Sequence, residues 1–354
     1  SQGKSRFEFS REDLYKQVWD FVSANRGNME LQLRALGASA DWENGVFTLD
    51  KKVIETTYDT FKRMWDDGLI YRGERIVNFC PTHQTAFADI EVVHKEIPGK
   101  LYEINYPMLD KVANITVATT RPETMLGDTA IAVHPDDTRY KEFIGMTVMV
   151  PIVKREIPII ADEAVDPSFG TGAVKVTPAH DPTDYEIGKR HSLPMINVIG
   201  TDGKMSRAAG SFEGLTPLEA RDRIIQELET EDEFYKGSKD YTHAVGHCYK
   251  CGSIIEPLLK EQWFLKVEPL AKKAIEAIES GEVTFTPKNK GKVLVDYLKN
   301  LHDWNLSRQI AWGIPIPAFV NIEDNQDWIF DVRVDQPTIE VGGKTYQREE
   351  DTFD

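Results

Sequence analysis

Three stretches concentrate the residues that can do chemistry. Cys80-Pro-Thr-His83 and Cys248-Tyr-Lys-Cys251 are a C-x-x-H and a C-x-x-C turn, and together they use all three cysteines of the chain. A two-residue gap lets both ligands of a knuckle face one ion, so Cys80, His83, Cys248 and Cys251 make up a tetrahedral zinc set of structural type. Their long separation is expected if a domain is inserted between the knuckles. Ala118-Thr-Thr-Arg-Pro-Glu-Thr124 follows the strand-like NITVA and ends it in hydroxyls and a guanidinium. Arg121 suits a phosphate or carboxylate, although Thr119 or Thr120 capping a plain turn explains the same residues. In AVKVTPAHDPTD, Lys175 and Thr177 alternate on one face of a strand, and Asp181, Pro182 and Asp184 read as N-cap, N1 and N3 of a helix. That pattern either starts a helix or also holds a cationic ligand.

The elements that must position these groups change along the chain. Apolar spacing predicts helices in REDLYKQVWDFVSANRGNMELQLRAL, with Leu14, Val18 and Phe21 on one face and Gly27 as a possible break, and in DKKVIETTYDTFKRMWDD. Asp50 is the expected N-cap of the second, and Val53, Thr57, Phe61, Met64 and Trp65 its buried stripe. From about Leu101, short β-rich runs dominate (LYEINYPM, NITVATT, TAIAVH, TVMVPIV, IPIIA, GAVKVT, INVIG). Two helices interrupt them, one after Asp181 and one in TPLEARDRIIQELE. This predicts a compact β-barrel-like domain over residues 98–242. Helical spacing returns in VEPLAKKAIEAIESG and KVLVDYLKNLHDW. The tail after Asn321 reads as mixed, acidic and partly without order. Residues 1–97 and 243–354 are expected to be one domain split by the insertion.

The 354 residues carry a formal net charge of −16, which excludes a surface that clings to nucleic acid everywhere. Lys288, Lys290 and Lys292 form a short basic strip that reads best as a solvated loop. With no run long enough to span a membrane and an odd cysteine count, a cytoplasmic protein in a reducing compartment is expected.

ATTRPETMLGDTAIAVHP and GTGAVKVTPAHDPTDYEIGKRH resemble the two signature stretches of the editing (CP1) domain of valyl-tRNA synthetases. ALGASADW, GLIYRGERIVNFCP, IIEPLLKEQWF and DWNLSRQIAWGIPIP are similar to the synthetase body around that domain. AWGIPIP is closer to isoleucyl and leucyl relatives than to the valyl form. The resemblance implies an α/β (α+β) fold, with a barrel-like editing domain set into a split, truncated Rossmann-type core with a zinc ribbon. It implies hydrolysis of threonine mistakenly esterified to tRNA(Val). Asp184 would read the threonine hydroxyl and Asp181 would hold the α-ammonium. Thr119, Thr120, Arg121 and Thr124 would line the pocket, with Lys175 and Thr177 on the facing strand and Lys175 beside the developing oxyanion. Water is the expected nucleophile, and His180 an alternative base. Zinc is the expected cofactor, and ATP belongs to the full-length parent only, because HIGH and KMSKS are absent here. The expected partner is the aminoacylated 3′ end of tRNA(Val), bound by a monomer. An isoleucyl-type editing domain, a non-catalytic zinc-ribbon RNA-binding module, and a hydrolase using His180, Asp181 and Asp184 as metal ligands are the competing readings.

Overall fold

The structure, a computed structural model, describes residues 5–230 and 234–353. The chain divides into two compact units, Gly73–Glu261 and the pair Ser1–Arg72 with Gln262–Asp354.

In the second of these, Arg11–Ala35 is one helix, begun by Ser10, whose hydroxyl accepts the Asp13 N–H. It runs through Gly27 unbroken, because a single glycine costs only about 1 kcal/mol. The expected Leu14, Val18 and Phe21 stripe is not buried; no residue of this helix is, and Phe21 is 68% exposed. The next helix, Lys51–Asp66, ends before Gly68 at φ +65°. Asp50 precedes it but does not cap it with its side chain; its carboxylate accepts the Phe47 N–H instead. Tyr58 and Phe61 are its buried residues, while Val53, Thr57, Met64 and Trp65 are half-buried. Phe61 lies among Trp65, Trp263, Phe330 and Phe353, with ring centres 5.2–6.3 Å away. Phe61→Ala is expected to cost about 3–5 kcal/mol, read as a lowered urea midpoint at unchanged slope.

The tail is ordered, contrary to the reading above. Strands at Asp324–Phe330, Ala318–Asn321, Lys344–Arg348 and Thr338–Val341 form an antiparallel sheet in that order. Gly342 and Gly343 both take positive φ, as a two-residue hairpin turn requires. Phe319, Ile339 and Tyr346 form the core of this sheet. Two tight hairpins, Ala318–Asn321 with Asp324–Phe330 and Thr338–Val341 with Lys344–Arg348, build this sheet, which is not the parallel sheet of a Rossmann-type core. The basic strip Lys288, Lys290 and Lys292 is exposed, at the start of the Asn289–Lys299 helix and not in a loop.

The strands from the first unit boundary onward are β1 (Ile70–Cys80), β2 (Thr85–Phe87), β3 (Val92–Pro107), β4 (Asn114–Thr119), β5 (Ala130–Val133), β6 (Thr147–Val150), β7 (Arg155–Ala161), β8 (Ala173–Val176), β9 (Tyr235–Cys248) and β10 (Glu256–Leu265). β3 pairs with β9 from Val92↔Cys248 to Ile104↔Tyr235, and with β4 on its other edge. A second sheet has the order β6-β7-β5-β8, with β5 and β7 parallel and the other pairs antiparallel. An isolated bridge, Met108↔Val148, links the two sheets. Among the described residues the ladders do not close into a barrel; they stop between β4 and β8. The loop ahead of β8 packs on β4 there, so that a Cβ on Gly170 would stand 2.7 Å from that of Ala118. INVIG makes only the bridge Ile199↔Met205. The helix predicted after Asp181 is Pro182–Arg190, and TPLEARDRIIQELE gives Pro217–Thr230. No helix among the described residues is long and apolar enough to cross a membrane.

Candidate functional site

The two cysteine turns meet. Cys80 ends β1 and Cys248 ends β9, strands of two different sheets, and the fold brings His83 and Cys248, 165 residues apart in the chain, to one point. Cys80 Sγ lies 3.7 Å from Cys251 Sγ and 3.4 Å from His83 Nδ1, and Cys248 Sγ lies 3.5 Å from that nitrogen. A tetrahedron with metal bonds of about 2.3 Å to sulfur and about 2.0 Å to nitrogen has edges of about 3.8 and 3.5 Å. Those three distances fit it, and all four donor atoms lie within 4.8 Å of one another. Each turn is followed by a residue at positive φ, Gln84 at 46° and Gly252 at 74°. The His83 N–H points at Cys80 Sγ, and the Cys248 and Gly252 N–H groups close the second turn on Ser253 and Cys248 carbonyls.

The second cluster is buried between β8 and the turn after β4. Lys175 Nζ donates to Thr124 Oγ1 at 2.6 Å, to Thr177 Oγ1 at 2.7 Å and to Asp128 Oδ1 at 3.3 Å. The two hydroxyls pass their own protons on, Thr124 to the Arg121 carbonyl and Thr177 to Asp128. Tyr106 donates to the other Asp128 oxygen at 2.7 Å. Asp128 is fully buried, and burial, opposed by the Lys175 charge, raises its carboxyl above the ordinary value.

Arg121 sits one turn away. Its Nη2 donates to Glu256 at 2.6 Å, its Nε to Glu123 at 3.2 Å, and its Nη1 to the His180 carbonyl at 3.2 Å. Burial works against its charge, but the Glu256 and Glu123 carboxylates outweigh it and raise its pKa. Arg221 grips Glu123 with two further bonds. The Thr119 hydroxyl accepts the Arg121 N–H, the capped turn that was the plainer reading of this stretch. Thr120 is half-buried and joins none of these bonds.

Asp181 is the N-cap, accepting the Thr183 and Asp184 N–H groups with one oxygen. It is exposed. Asp184 is buried, and its Oδ2 accepts the Thr177 N–H at 2.8 Å. Its Oδ1 takes no hydrogen bond from the described residues. Burial first, then the Asp181 charge, pushes its carboxyl up to about 7, with Lys175 and the Thr177 N–H acting the other way and Asp128 adding to the rise. Between the ordinary carboxyl value of about 4 and that point, the folded protein holds a proton that the unfolded chain has lost. Stability contributed by Asp184 therefore falls as pH rises through this window. Asp184→Asn keeps an oxygen for Thr177 and cannot ionise. It should melt above the wild type at pH 8, with the difference fading toward pH 4; identical melting at both pH values would contradict the assignment.

His180 does not suit a base. Its ring is buried, Nε2 accepts the Val198 N–H at 2.8 Å, and burial, then Arg121, pushes it down to about 3. It is a neutral structural histidine whose proton sits on Nδ1. Among the described residues the Cys80, His83, Cys248 and Cys251 group is the one metal-type cluster, so His180, Asp181 and Asp184 do not converge as ligands. The structure thus gathers Lys175, Thr124 and Thr177 around Asp128, brings Asp184 to Thr177, and leaves Asp181 at the rim. Sequence reasoning missed Asp128, Tyr106, Glu123, Arg221 and Glu256. For Asp128 a signal existed, an acid set between Leu126 and the buried run Ala130–Val133.

The family model for class I tRNA synthetases of the I, L, M and V type matches residues 1–351. The chain belongs to that family. Among curated relatives, the valine--tRNA ligase of Thermotoga maritima is 50% identical over 319 residues, 90% of this chain and 37% of that protein. The valine--tRNA ligase of Dehalococcoides mccartyi strain 195 is 49% identical over 90% of this chain and 36% of its own. That of Pseudothermotoga lettingae is 43% identical over the whole chain and 41% of its own length. The chain therefore spans 36–41% of the length of these relatives. It is similar to a part of a valine--tRNA ligase.

Proposed function

We propose that this chain hydrolyses the ester of tRNA(Val) mischarged with threonine, as the editing part of a valyl-type synthetase. The observation that carries the reading is Asp184, a buried carboxyl with one oxygen tied to a backbone N–H and the other left without a partner. Threonine and valine are nearly isosteric, and an apolar pocket rejects the extra hydroxyl by only about 10²-fold. A site with an unsatisfied polar atom inverts that preference. The threonine hydroxyl completes the Asp184 oxygen, whereas valine leaves it buried and unpaired. Asp181, with its second oxygen facing solvent, receives the α-ammonium. Thr119, Thr120, Arg121 and Thr124 line the site from the turn after β4, and Thr177 does so from the end of β8.

Lys175 supplies positive charge beside the carbonyl oxygen of the ester as it becomes an oxyanion, a contribution often worth about 3 kcal/mol. It is held in place in advance by Asp128, Thr124 and Thr177, so little reorganisation accompanies the reaction. Water attacks, since no serine or cysteine here has a base beside it. The acyl C–O bond to the ribose breaks, and the proton of the water leaves with the ribose hydroxyl. Positioning is the chief demand on an ester already activated. Cys80, His83, Cys248 and Cys251 would hold a zinc ion, which would cross-link the two turns and supply no chemistry to these steps.

The editing domain is assigned to residues 98–242, flanked by core segments 1–97 and 243–354. Pro98 and Thr242 are cross-strand partners, so both ends of that block lie side by side on one ribbon. With a net charge of −16, the chain binds tRNA weakly and with steep salt dependence. The test is Asp184→Ala with both esters. It should bring the threonyl and valyl rates together, chiefly by slowing the threonyl ester, and unchanged discrimination would remove Asp184 from the role.

A further inference from the structure

Arg121 and the loop carrying Asp181 and Asp184 come from stretches far apart in the chain, and something must set their spacing. Arg121 does part of this itself, reaching from the turn after β4 to the His180 carbonyl, one residue before Asp181. What aims Arg121 is a residue outside both stretches. Glu256, at the first position of β10, takes Arg121 Nη2 at 2.6 Å. It is 7% exposed and lies five residues beyond Cys251. Through Arg121, the start of β10 is linked to the turn after β4 and to the His180 carbonyl.

We propose that Glu256 is a positioning residue of the editing site, holding Arg121 in the orientation that registers the Thr119–Thr124 turn against the Asp181–Asp184 loop. The proposal rests on the editing assignment above. Two carboxylates are needed because they do different things. Glu123 is tied to Arg121 through Nε and is itself gripped twice by Arg221. Without Glu256 the guanidinium keeps only two longer bonds, both 3.2 Å, from Nε to Glu123 and from Nη1 to the His180 carbonyl. Glu256 engages the far end of the fork and fixes its orientation. The Arg121 side chain keeps 28% exposure, so one edge stays open to substrate. Displacing such a group by an ångström costs on the order of 10²-fold in rate.

The experiment compares wild type, Glu256→Ala, Glu256→Gln, Arg121→Ala and the Arg121→Ala/Glu256→Ala double variant. It measures kcat and KM for threonyl-tRNA(Val) hydrolysis, melting temperature, and modification of Arg121 by phenylglyoxal followed by mass spectrometry. Glu256→Ala should lower kcat/KM about 10- to 100-fold, Glu256→Gln less, because the amide oxygen still accepts from Nη2. In the Arg121→Ala background Glu256→Ala should add almost nothing. Phenylglyoxal should label Arg121 faster in Glu256→Ala than in wild type or Glu256→Gln. Equal losses in both backgrounds, tracking melting temperature, would overturn the proposal, as would unchanged kinetics and labelling in Glu256→Ala. If wild type hydrolyses neither ester, the editing assignment itself fails and the role of Glu256 falls with it. If wild type hydrolyses the threonyl ester and Glu256→Ala matches it, only Glu256 falls.

Discussion

Lys175→Met will unfold at lower denaturant and will lose threonyl-ester hydrolysis, and the two losses will respond differently to a second substitution. The ammonium has three acceptors, Thr124, Thr177 and Asp128, and is nearly buried. Methionine fills the same volume but leaves the Asp128 carboxylate with only the Tyr106 and Thr177 hydroxyls. Breaking one side of a buried pair costs about 3–5 kcal/mol, mostly because the remaining charge is uncompensated. Neutralising that charge in Lys175→Met/Asp128→Asn should therefore restore most of the stability. It should not restore hydrolysis, which on this account needs positive charge at the carbonyl oxygen of the ester and is expected to stay down about 10²- to 10³-fold. Recovery of both together would mean that Lys175 acts only in folding. The quantities to measure are the denaturant midpoint and the single-turnover rate of each variant.

Stripping zinc is the second large effect. The four donor atoms lie within 4.8 Å of one another, and Cys80 and Cys248, at the ends of β1 and β9, pack with Phe87, Val92 and Ile255 in a small apolar cluster. Without the ion, Cys80 and Cys248 remain buried while the loops lose the bonds that cross-link them. Metal binding is folding free energy in such sites. The rest of the unit has its own sheets and core, so the expected outcome is a partial loss: a fall in melting temperature of about 10 °C on chelation, for a change of a few kcal/mol in a unit of this size. Zinc alone should restore it, and Cys251→Ser should reproduce it. Because the thiols must give up protons to bind, zinc should leave progressively as the pH is lowered. Calorimetry with and without chelator decides this, and an unchanged transition with no zinc by elemental analysis would remove the metal from the account.

Much of this site was legible in the sequence because its parts are local. The Asp181 cap, the Pro182–Arg190 helix and the alternation of Lys175 and Thr177 on β8 depend on neighbours a few residues away. The knuckles were legible because C-x-x-C and C-x-x-H spacings fix geometry by themselves. Glu256 and the Glu123–Arg221 pair were not, because nothing in local pattern tells these buried acids from solvated ones; their partners lie 135 and 98 residues away. For Asp128 the flanking apolar residues gave a signal, but its Tyr106 and Lys175 partners lie 22 and 47 residues away. His180 misled for the same reason, since its Val198 partner, which makes it structural, is 18 residues on. Closure of the barrel could not be read from strand propensity, which says nothing of which edges pair. The tail misled because its acidic residues masked two hairpins, although the Gly342-Gly343 turn between TIEV and KTYQR was a usable hairpin signal.

The central claim is that the Asp184 site prefers the hydroxyl-bearing ester. The most direct measurement places the purified chain with threonyl-tRNA(Val) and, separately, valyl-tRNA(Val), and follows loss of each ester against the uncatalysed rate. The threonyl ester is expected to be lost faster by a wide margin, with near-background loss of the valyl ester. Equal acceleration of both, or faster loss of the valyl ester, would contradict it.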